Sequence, residues 1–558
     1  MPDTASGEEC DVLVIGSGSA ALSAALRCAV GGLRVTILEK TSLLGGTSAM
    51  SGAGTWIPAN HHAAAAGLTD SPEEALAYLR ATAPDGWRER EDHLWEAFVR
   101  NAPDMLAFLE QFTPLRFRLT EEPDTMSECD GGKRRGRMLS PQPLRRALVK
   151  RFARHIRGST LPHLYTYQEV YDGDLYHRPV RATLMFAHRL VRRLLAGERA
   201  QGSALVVGLL KGCLDHGCRV ELDARAIELV SDETQGVVGA VADCAGNRRT
   251  FRARRGVVLA TGGFEWDEGL LERHFPGPFD FRGSPRANEG DGQRLAEAAG
   301  AQLAHMDQAN IYPTMPTRYE GQLHGIPLIF QGEPHAILVD RNGRRFVSEC
   351  DFNIGEAIDR RDPETGLPVH LPAWIIADRR FLTQGPPFLW YALKKRGWMV
   401  RSPTLEGLAA RIGLPADALE ETVSRFNGFC AAGRDLDFRR GESVWESFKA
   451  GGPGSSLGPI EKGPFYAMPF NRSILGTKGG ARTNEKGQVL RADGSVITGL
   501  YAAGLAMATL LIGATTPRVR RSTAEHRDPW ALMVRTLLVL LASSIVALML
   551  IASVALDG

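Results

Sequence analysis

Short apolar runs alternate with a helical pattern at the beginning of the chain. Residues 11–15 (DVLVI) form a β-branched apolar run, a glycine turn follows, and residues 20–30 are an alanine-rich stretch with helical character. A second apolar run, RVTIL, occupies residues 34–38. Strand, helix and strand in this order predict a βαβ unit, whose parallel strands are buried on both faces of the sheet.

Later runs divide the rest of the chain into regions. Between about residues 60 and 200 the pattern turns helical and rich in arginine, which predicts an insertion. Apolar runs at 237–242 and 257–260 indicate that the first sheet resumes, and SVITGLYAAG at 495–504 predicts its last buried strand. The region before that strand is rich in Pro, Trp and Tyr and contains two helical patterns, which predict a separate substrate domain.

Together these patterns predict an α/β protein with a Rossmann-type nucleotide-binding domain and an inserted α+β substrate (capping) domain. The expected boundaries are 1–280 and 456–513 for the nucleotide-binding domain, 281–455 for the capping domain and 514–558 for a tail. Because ligands bind at the carboxyl ends of parallel strands and at domain junctions, we expect the active site between the two domains.

Composition narrows the function classes. The formal net charge is +2 for 558 residues, so there is no basic surface typical of nucleic-acid binding, and no nucleic-acid partner is expected. Eight cysteines are scattered without C-x-x-C pairs, which predicts reduced thiols and no metal site. The polar, acidic N-terminus lacks the pattern of a secretory signal. A cytoplasmic location of the catalytic body is therefore expected.

The glycine turn after the first strand has the spacing of a dinucleotide-binding motif. Gly16 permits the tight turn, Gly18 lets the backbone approach a pyrophosphate, and Ala21 replaces the third glycine where helix meets strand. The pyrophosphate would rest on the helix N-terminus, whose free N–H groups favour an anion. Glu39 ends the second strand, where it is placed to bind ribose hydroxyls.

Several further blocks resemble the fumarate reductase and 3-ketosteroid dehydrogenase superfamily of flavoproteins. They are LGGTS at 44–48 with SGAG at 51–54, LATGGF at 259–264, GDG at 290–292 and GLYAAG at 499–504. The resemblance implies FAD as the cofactor. The residues expected to bind it are Gly16, Ser17, Gly18, Ser19, Ala20, Glu39, Lys40, Gly45, Gly46, Thr47, Ser51, Gly52, Ala260, Thr261, Gly262, Asp291 and Gly504.

The closer resemblance is to the 3-ketosteroid dehydrogenases. The matching blocks are SGAGTWIP at 51–58, GRRF at 343–346, DFRRGE at 437–442, GPFY at 463–466 and GTKGG at 476–480. Such enzymes remove a hydride and a proton from adjacent ring carbons. The resemblance therefore implies an FAD-dependent oxidoreductase acting on CH–CH groups of a steroid-like or other hydrophobic cyclic ketone, with hydride passing to flavin N5 and then to an unknown electron acceptor.

The catalytic tyrosines of that family do not match this sequence. Phe352 stands where the resemblance places the base, residues 124–128 (DTMSE) lack the supporting tyrosine, and residues 514–518 (ATTPR) lack the ketone-polarising turn. Since phenylalanine cannot take a proton, slow or absent turnover of 3-ketosteroids is expected. Tyr312 and Tyr319 are the candidate catalytic residues in the substrate domain, with His324 and His335 beside them as further acid or base candidates.

Two other functions compete with this interpretation. The reverse chemistry, a fumarate-reductase-like enoate reductase, would need a carboxylate clamp for which Arg318, His324 and Arg482 are candidates. The missing family tyrosines are compatible instead with a flavin-binding protein that has lost turnover. Lys478, in the GTKGG block, is expected to be a structural cation or a neighbour of the flavin rather than a base.

The end of the chain departs from the family pattern. Residues 536–556 are an uncharged apolar run, which at about 1.5 Å per residue could cross a hydrocarbon layer of about 30 Å. Arginines precede this run, so one expectation is a tail anchor that holds the enzyme on the cytosolic face of a membrane. An altered reading frame in the gene is the alternative explanation of the residues after about 508.

Overall fold

The main sheet has five parallel strands and is assembled from both ends of the chain. The computed structural model describes residues 8–384, 393, 395 and 397–509. In spatial order the parallel strands are Val496–Ala502, Asn247–Leu259, Glu8–Ile15, Val35–Leu38 and Arg219–Glu221. Gln488–Leu490 adds an antiparallel edge beside the first of these, and the strands Ala224–Asp232 and Gly236–Cys244 extend Asn247–Leu259 as antiparallel neighbours.

The predicted βαβ unit is confirmed. The first strand pairs in parallel with the second from Val12–Val35 to Ile15–Leu38, and on its other side Ile15 pairs with Leu259. The intervening helix, Ser19–Val30, is buried over most of its length, because its alanines let it lie close to the sheet. The strand Val496–Ala502 pairs in parallel with Asn247–Leu259, as the last predicted strand should.

The predicted insertion is helical with small sheets added. Its longest helix, Arg88–Phe112, packs on Pro72–Thr82, and Gln201–Asp215 packs on Ser19–Val30 of the predicted βαβ unit. Leu94, Phe98 and Leu106 of the long helix are buried in the same hydrophobic core as the main sheet. The insertion is therefore part of the nucleotide-binding domain and not a separate unit.

The capping domain is built on a second sheet of four antiparallel strands. Their order is Ala336–Val339, Ala373–Ala377, Phe465–Phe470 and Val400–Ser402. One face packs on the helices Leu405–Ile412 and Ala416–Ala432, and the other face belongs to a core that includes residues from 264 to 474. Phe465–Phe470 lies beyond the boundary at residue 456 that the sequence suggests, so the chain leaves the capping domain after this strand.

The other elements complete the two domains. Smaller sheets join Thr55–Trp56, Met138–Pro141 and Phe117–Leu119; Leu144–Arg145 and Glu198–Arg199; Leu303–Ala304 and Gly480–Ala481; Ala309–Ile311 and Ile474–Thr477; and Thr314–Tyr319 and Gln322–Pro327. The remaining α-helices are Gly46–Met50, His61–Ala65, Tyr167–Asp172, Pro179–Ala196, Glu268–His274, Asp291–Ala298, Ile354–Ile358 and Val444–Lys449, and 3₁₀ turns occupy Arg146–His155, Arg379–Thr383 and Gly504–Ala506.

Within the described part of the chain, every helix is too short or too polar to span a lipid bilayer. The apolar run at 536–556, on which a tail anchor was predicted, lies outside the described residues, as does the stretch 514–518.

Candidate active site

A deep cleft opens at the carboxyl ends of the parallel strands. It contains about 960 Å³ of empty space, and its walls come from the first glycine turn, the loop at 44–54 that we call the flavin loop, and the segments around 260, 288 and 504. The predicted cofactor residues that line it are Gly16, Ser17, Gly18, Ser19, Ala20, Glu39, Lys40, Gly46, Thr47, Ser51, Ala260, Thr261, Gly262, Asp291 and Gly504. Residues from both ends of the described chain, Gly16 to Gly504, thus meet in one site.

Gly45 and Gly52 do not line the cleft. A Cβ atom on Gly45 would lie 2.7 Å from the Cβ of Ala49, and a Cβ atom on Gly52 would lie 3.0 Å from the ring of Tyr167. Both glycines therefore allow close packing behind the flavin loop. The cleft also contains Ser48 of the LGGTS block, and residues that the sequence did not indicate: Arg157, Ala224, Ala226, Ala287, Asn288 and Leu505. The alternating alanines 224 and 226 on one strand were the available signal, since residues two apart face the same side of a sheet.

The glycine turn has the geometry that a bound diphosphate needs. Gly16 has φ +115°, and a Cβ atom there would lie 2.2 Å from the carbonyl oxygen of Ala260, so only glycine fits. Gly18 precedes a helix that has no side-chain N-cap, and a Cβ atom there would meet nothing closer than Ser48 Oγ at 3.5 Å. Its backbone therefore faces open space in the cleft beside the positive end of the helix dipole, where an anion is stabilised.

Acidic and basic side chains organise the end of the cleft near Glu39. The buried Glu39 carboxylate accepts hydrogen bonds from the Ser17 hydroxyl and, at 2.9 Å, from the Thr41 backbone N–H. Lys40 forms an ion pair with Asp291 at 2.8 Å. Although burial favours the protonated form of Asp291, Lys40 and Arg225 hold its pKa below the ordinary value. Asp291 is therefore an ionised anchor for two cations at this end of the cleft.

A buried hydrogen-bond network joins the flavin loop to Asn288, Glu265 and the GTKGG block. The Asn288 amide donates to Thr47 Oγ1 at 3.0 Å and to the fully buried Glu265 carboxylate at 2.6 Å. Thr477 Oγ1 donates to the same carboxylate at 3.1 Å and accepts from the Phe264 backbone N–H at 2.7 Å. Since buried carboxylates are stable only when hydrogen-bonded, this network fixes the position of Thr47 relative to Glu265 and the GTKGG block.

The two predicted catalytic tyrosines occupy different places. The Tyr312 hydroxyl accepts a hydrogen bond from Gln331 at 3.0 Å, and burial raises its pKa. Tyr319 ends a hairpin strand; its hydroxyl donates to the Gly158 carbonyl at 2.8 Å, and burial raises its pKa to about 12. Neither phenol is activated as a base here, and Tyr319 is committed to a backbone acceptor.

The two histidines have structural contacts. His324 is buried, each of its ring nitrogens is 3.1 Å from a backbone carbonyl oxygen, and burial lowers its pKa. His335 Nδ1 lies 2.8 Å from the Pro459 carbonyl oxygen.

The proposed carboxylate clamp is not assembled. Arg482 forms an ion pair with Glu91 at 2.9 Å, while Arg318 is exposed on a hairpin strand and His324 is held between backbone carbonyls. The arrangement does not favour the enoate reductase alternative.

The residues that stand in place of the missing family tyrosines have structural contacts of their own. Phe352 is buried and makes an edge contact with Trp445 at a centroid distance of 5.1 Å. Asp124, in the stretch that lacks the supporting tyrosine, accepts from Trp56 at 2.7 Å and pairs with Arg137 at 2.8 Å. Phe352 therefore contributes only to packing and has no group that could move a proton, while the Asp124 carboxylate is bound to Trp56 and Arg137.

A cluster of polar side chains that the sequence did not indicate lies behind the flavin loop. Tyr167 donates a hydrogen bond to Glu122 at 2.7 Å, and its hydroxyl is 3.3 Å from that of Tyr171. Lys449 donates to the Tyr171 hydroxyl and lies 3.5 Å from Glu122. We call these four residues the tyrosine–lysine cluster.

A second buried lysine lies in the GTKGG block. Lys478 is fully buried, and its Nζ has no hydrogen-bond partner among the residues that the structure describes. Burial lowers its pKa to about 7. Its neighbour Thr477 belongs to the network that reaches the flavin loop, so the block has a structural connection to the cofactor cleft.

One group of side chains has the chemistry of metal ligands, although the cysteine pattern predicts no metal. His61 and His62 place their Nε2 atoms 2.8 and 3.0 Å from carboxylate oxygens of Glu110. The group is partly exposed on the helical insertion, and its members do not line the cofactor cleft.

Two of the family-like blocks form a buried ion network in the capping domain. Arg345 of the GRRF block pairs with Glu349 and Asp435, each at 2.8 Å. Arg440 of the DFRRGE block pairs with Glu349 at 3.1 Å and donates to three backbone carbonyls. All four side chains are almost completely buried, so these blocks hold the capping domain together.

Comparison with known proteins agrees with the cofactor geometry. A family model for the FAD binding domain matches residues 11–516. The chain therefore belongs to the FAD-binding family of flavoproteins, and it is an FAD-dependent oxidoreductase acting on CH–CH groups.

Particular relatives narrow the class further. A 4-oxocyclohexanecarboxylate 2-dehydrogenase from Sinomonas cyclohexanicum is 36% identical over 88% of this chain and 87% of the relative. A 3-oxosteroid 1-dehydrogenase from Mycolicibacterium smegmatis is 33% identical over 89% of this chain and 92% of the relative. The crystal structure of 3-ketosteroid delta1-dehydrogenase from Sterolibacterium denitrificans, in complex with 1,4-androstadiene-3,17-dione, is 28% identical with a TM-score of 0.85 and covers 99% of this chain and 100% of that one.

Proposed function

We propose that this enzyme dehydrogenates a hydrophobic six-membered ring ketone at the carbon next to the carbonyl group. The observation that carries the proposal is the shared chemistry of the relatives. The names of two relatives, more than 30% identical over most of the chain, both describe dehydrogenation of a ring that bears a ketone. The missing family tyrosines mean that this chain must use other residues to move the proton.

The cofactor cleft supports this chemistry. Bound FAD supplies the acceptor for a hydride. Gly16 and Gly18 let the backbone approach its diphosphate, and Glu39 is placed to accept hydrogen bonds from the ribose. Thr47 and Ser51 of the flavin loop line the cleft, and a ring ketone bound between the two domains would be expected to reach them. Tyr312, half-buried in the capping domain, is a candidate to contact that ring.

An anaerobic panel assay tests the function. Purified FAD-loaded enzyme is mixed with 3-ketosteroids, 4-oxocyclohexanecarboxylate, unsubstituted cyclohexanone and fumarate, and bleaching of the flavin absorbance is followed. The matched control for each ketone is the corresponding alcohol, whose neighbouring C–H bonds are not acidified by a carbonyl group. Reduction by at least one ring ketone and by none of the alcohols is expected.

Two outcomes would contradict the proposal. Oxidation of pre-reduced enzyme by fumarate, with no reduction by any ketone, would favour the enoate reductase. Tight ketone binding with no electron transfer to the flavin would favour a binding protein that has lost turnover. Chemical identification of the product by mass spectrometry as the ring enone, two hydrogens lighter, completes the assignment. Steady-state turnover is then measured with soluble quinones and redox dyes as oxidants, to find which electron acceptors reoxidise the reduced flavin.

A further inference from the structure

The tyrosine–lysine cluster joins three distant parts of the chain. Tyr167 and Tyr171 lie one turn apart on the helix Tyr167–Asp172, so they share a face. Lys449 ends the helix Val444–Lys449, and Glu122 follows the strand Phe117–Leu119. Their hydroxyl, ammonium and carboxylate groups are within hydrogen-bond or ion-pair distance of one another. Such convergence of four polar groups in a partly buried place needs an explanation beyond packing.

The cluster adjoins the cofactor cleft. A Cβ atom on either Gly52 or Gly54 would lie 3.0 Å from the ring of Tyr167, so this ring lies directly against the flavin loop. Ser51, the residue before these glycines, lines the cleft. The cluster therefore lies against the segment Gly52–Gly54 of the flavin loop, directly after a residue that lines the flavin-binding space.

The cluster also adjoins the position of the missing base. Phe352 packs edge-on against Trp445 at 5.1 Å, and the ring of Trp445 lies 4.5 Å from Lys449 Nζ. A single indole thus separates Phe352 from the ammonium group. Lys449 and its partner Tyr171 are thus polar groups connected through one aromatic ring to the place where the family resemblance puts a proton acceptor.

Electrostatics give Tyr171 and Lys449 different roles in proton transfer. Burial lowers the pKa of Lys449, with Glu122 acting in the opposite direction, so this amine loses its proton more easily than an exposed lysine. Burial and the Glu122 carboxylate raise the pKa of Tyr171 well above its ordinary value. The Tyr171 phenol stays protonated and cannot act alone as a base, but it can pass its proton to Lys449 Nζ when that amine has lost its own proton.

We propose that Tyr171 and Lys449 form a proton relay that takes the α-proton from the ring ketone. The proposal rests on the proposed function and names the groups that perform its proton step. The C–H bond next to the carbonyl breaks, its proton bonds to the Tyr171 oxygen, and the proton of that hydroxyl moves to neutral Lys449 Nζ. The electron pair left behind forms the ring double bond as hydride leaves the adjacent carbon for bound FAD, which gains two electrons.

The surroundings of Lys449 complete the relay. The Glu122 side chain is 1% exposed and compensates the ammonium charge that forms, while Tyr167 holds Glu122 in place. The Lys449 side chain is 31% exposed, so the proton can leave to solvent after each turnover. The titratable groups that bear on Lys449 are Glu122, Tyr171 and Tyr167, and Glu446 precedes it by one turn on the same helix.

The test compares flavin reduction in four variants of the full-length holoenzyme. Tyr171→Phe and Lys449→Met are expected to slow reduction by a ring ketone by about 10² to 10⁴-fold, the usual range for loss of acid–base catalysis. The matched controls are Tyr165→Phe and Lys211→Met, which remove a phenol bonded to Thr183 and a surface lysine bonded to Asp215. Both controls should keep the wild-type rate. Flavin content and melting temperature are measured for every variant. If Lys449→Met fails to fold, Tyr171→Phe still tests the relay, because it keeps the ion pair of Lys449 with Glu122.

A fifth variant separates a relay from a binding role. Lys449→Arg keeps the positive charge but cannot take up a proton, because guanidinium stays protonated at any working pH. The relay predicts that this variant remains as slow as Lys449→Met, with kcat lowered more than KM is raised. Recovery of the rate by Lys449→Arg, or a rise in KM confined to ring ketones that carry a carboxylate, would overturn the relay and make Lys449 an anchor for substrate.

Hydrogen exchange distinguishes failure of the relay from failure of the proposed function. Enzyme with pre-reduced flavin, which cannot accept hydride, is incubated with cyclohexanone in D₂O, and deuterium at the α-carbon is followed by NMR. Exchange by wild type that is lost in Tyr171→Phe supports the relay even where no ketone reduces the flavin. Equal exchange in the two proteins refutes the relay even where the dehydrogenase activity is confirmed.

Discussion

Substitution of Gly18 by alanine separates cofactor binding from folding. Gly18 has φ −68° and ψ 177°, a conformation open to any residue, and the new methyl group would lie 3.5 Å from Ser48 Oγ, which is ordinary contact. The apoprotein should therefore be as stable as wild type, or up to about 1 kcal/mol more stable, because alanine restricts the unfolded chain. The methyl group would, however, occupy the space in which the FAD diphosphate approaches the backbone.

The expected loss of FAD affinity follows from the hydrogen bonds between the backbone and the diphosphate that the methyl group would remove. A hydrogen bond to a charged group contributes about 1.5–3 kcal/mol, and displacement of the diphosphate by a methyl group removes at least one of them. Since about 1.4 kcal/mol corresponds to a tenfold change in Kd, Gly18→Ala should bind FAD about 10- to 150-fold more weakly. Titration of apoprotein with FAD, followed by flavin fluorescence quenching, measures the effect directly.

Two other glycines serve as controls. Gly16→Ala places a methyl group 2.2 Å from the Ala260 carbonyl oxygen at φ +115°, so it should destabilise the apoprotein itself. Gly32→Ala has a similarly unfavourable φ of +85° but nothing within 4 Å, so it should cost only about 1 kcal/mol of strain and leave FAD binding unchanged. Wild-type affinity in Gly18→Ala, or apoprotein of Gly18→Ala less stable than that of Gly32→Ala, would refute the assignment of Gly18 to the diphosphate.

Three further substitutions test buried polar groups through the free energy of unfolding. Burial raises the pKa of Glu446 to about 7, so the folded protein favours its protonated state, which is lost as pH rises through 7. Glu446→Gln should therefore be more stable than wild type at pH 8, by up to about 3 kcal/mol. In urea titrations this difference should shrink by about pH 5.5. Glu349→Gln should lose about 3–5 kcal/mol at pH 7, because Arg345 and Arg440 lose their shared anion. Although burial opposes it, these arginines lower the pKa of Glu349 below its ordinary value of 4.5. The loss should therefore persist down to about pH 4.5 and fade as pH falls further, toward the lowered pKa of the folded state; a constant difference would contradict this. Asn288→Ala leaves Glu265 without one buried donor and should lower the unfolding free energy by about 1–3 kcal/mol, and an unchanged melting temperature would count against the network.

The nucleotide-binding domain could be predicted because its signals are local. The apolar run at 11–15, the glycine turn and Glu39 lie within thirty residues, and each is fixed by a physical requirement of the βαβ unit. The strand Val496–Ala502 was also predictable, since a run of buried residues that ends in glycine has few alternatives. Contacts such as Asn288 and Arg157 were not, because they reach the cleft from loops without a characteristic pattern.

The end of the capping domain could not be read from the sequence. Phe465–Phe470 has the same apolar character as the last strands of the main sheet, so composition does not tell to which sheet it belongs. Its pairing with Ala373–Ala377 and Val400–Ser402 is a long-range contact. Register of this kind depends on which partners are available in the folded chain, which a local pattern does not contain.

The proposed catalytic groups could not be predicted from the sequence for a related reason. Glu122, Tyr171 and Lys449 are far apart in sequence, and each resembles an ordinary polar residue of a helix or loop when taken alone. The tyrosines four residues apart, Tyr167 and Tyr171, were the one local hint, because this spacing places both hydroxyls on the same helix face. Their partners become visible only when the insertion and the capping domain are packed together.

This chain can keep the sequence blocks of its family and still lack the family's base tyrosine. The GRRF and DFRRGE blocks contribute Arg345 and Arg440 to a buried ion network, in which removal of one partner leaves an uncompensated charge. Such a requirement preserves the sequence of the blocks whatever the substrate is. A base in contact with the substrate has no comparable structural requirement, since Phe352 packs against Trp445 without a hydroxyl group. The residues that make this chain recognisable thus hold the capping domain together, while the group that takes the proton can come from another element.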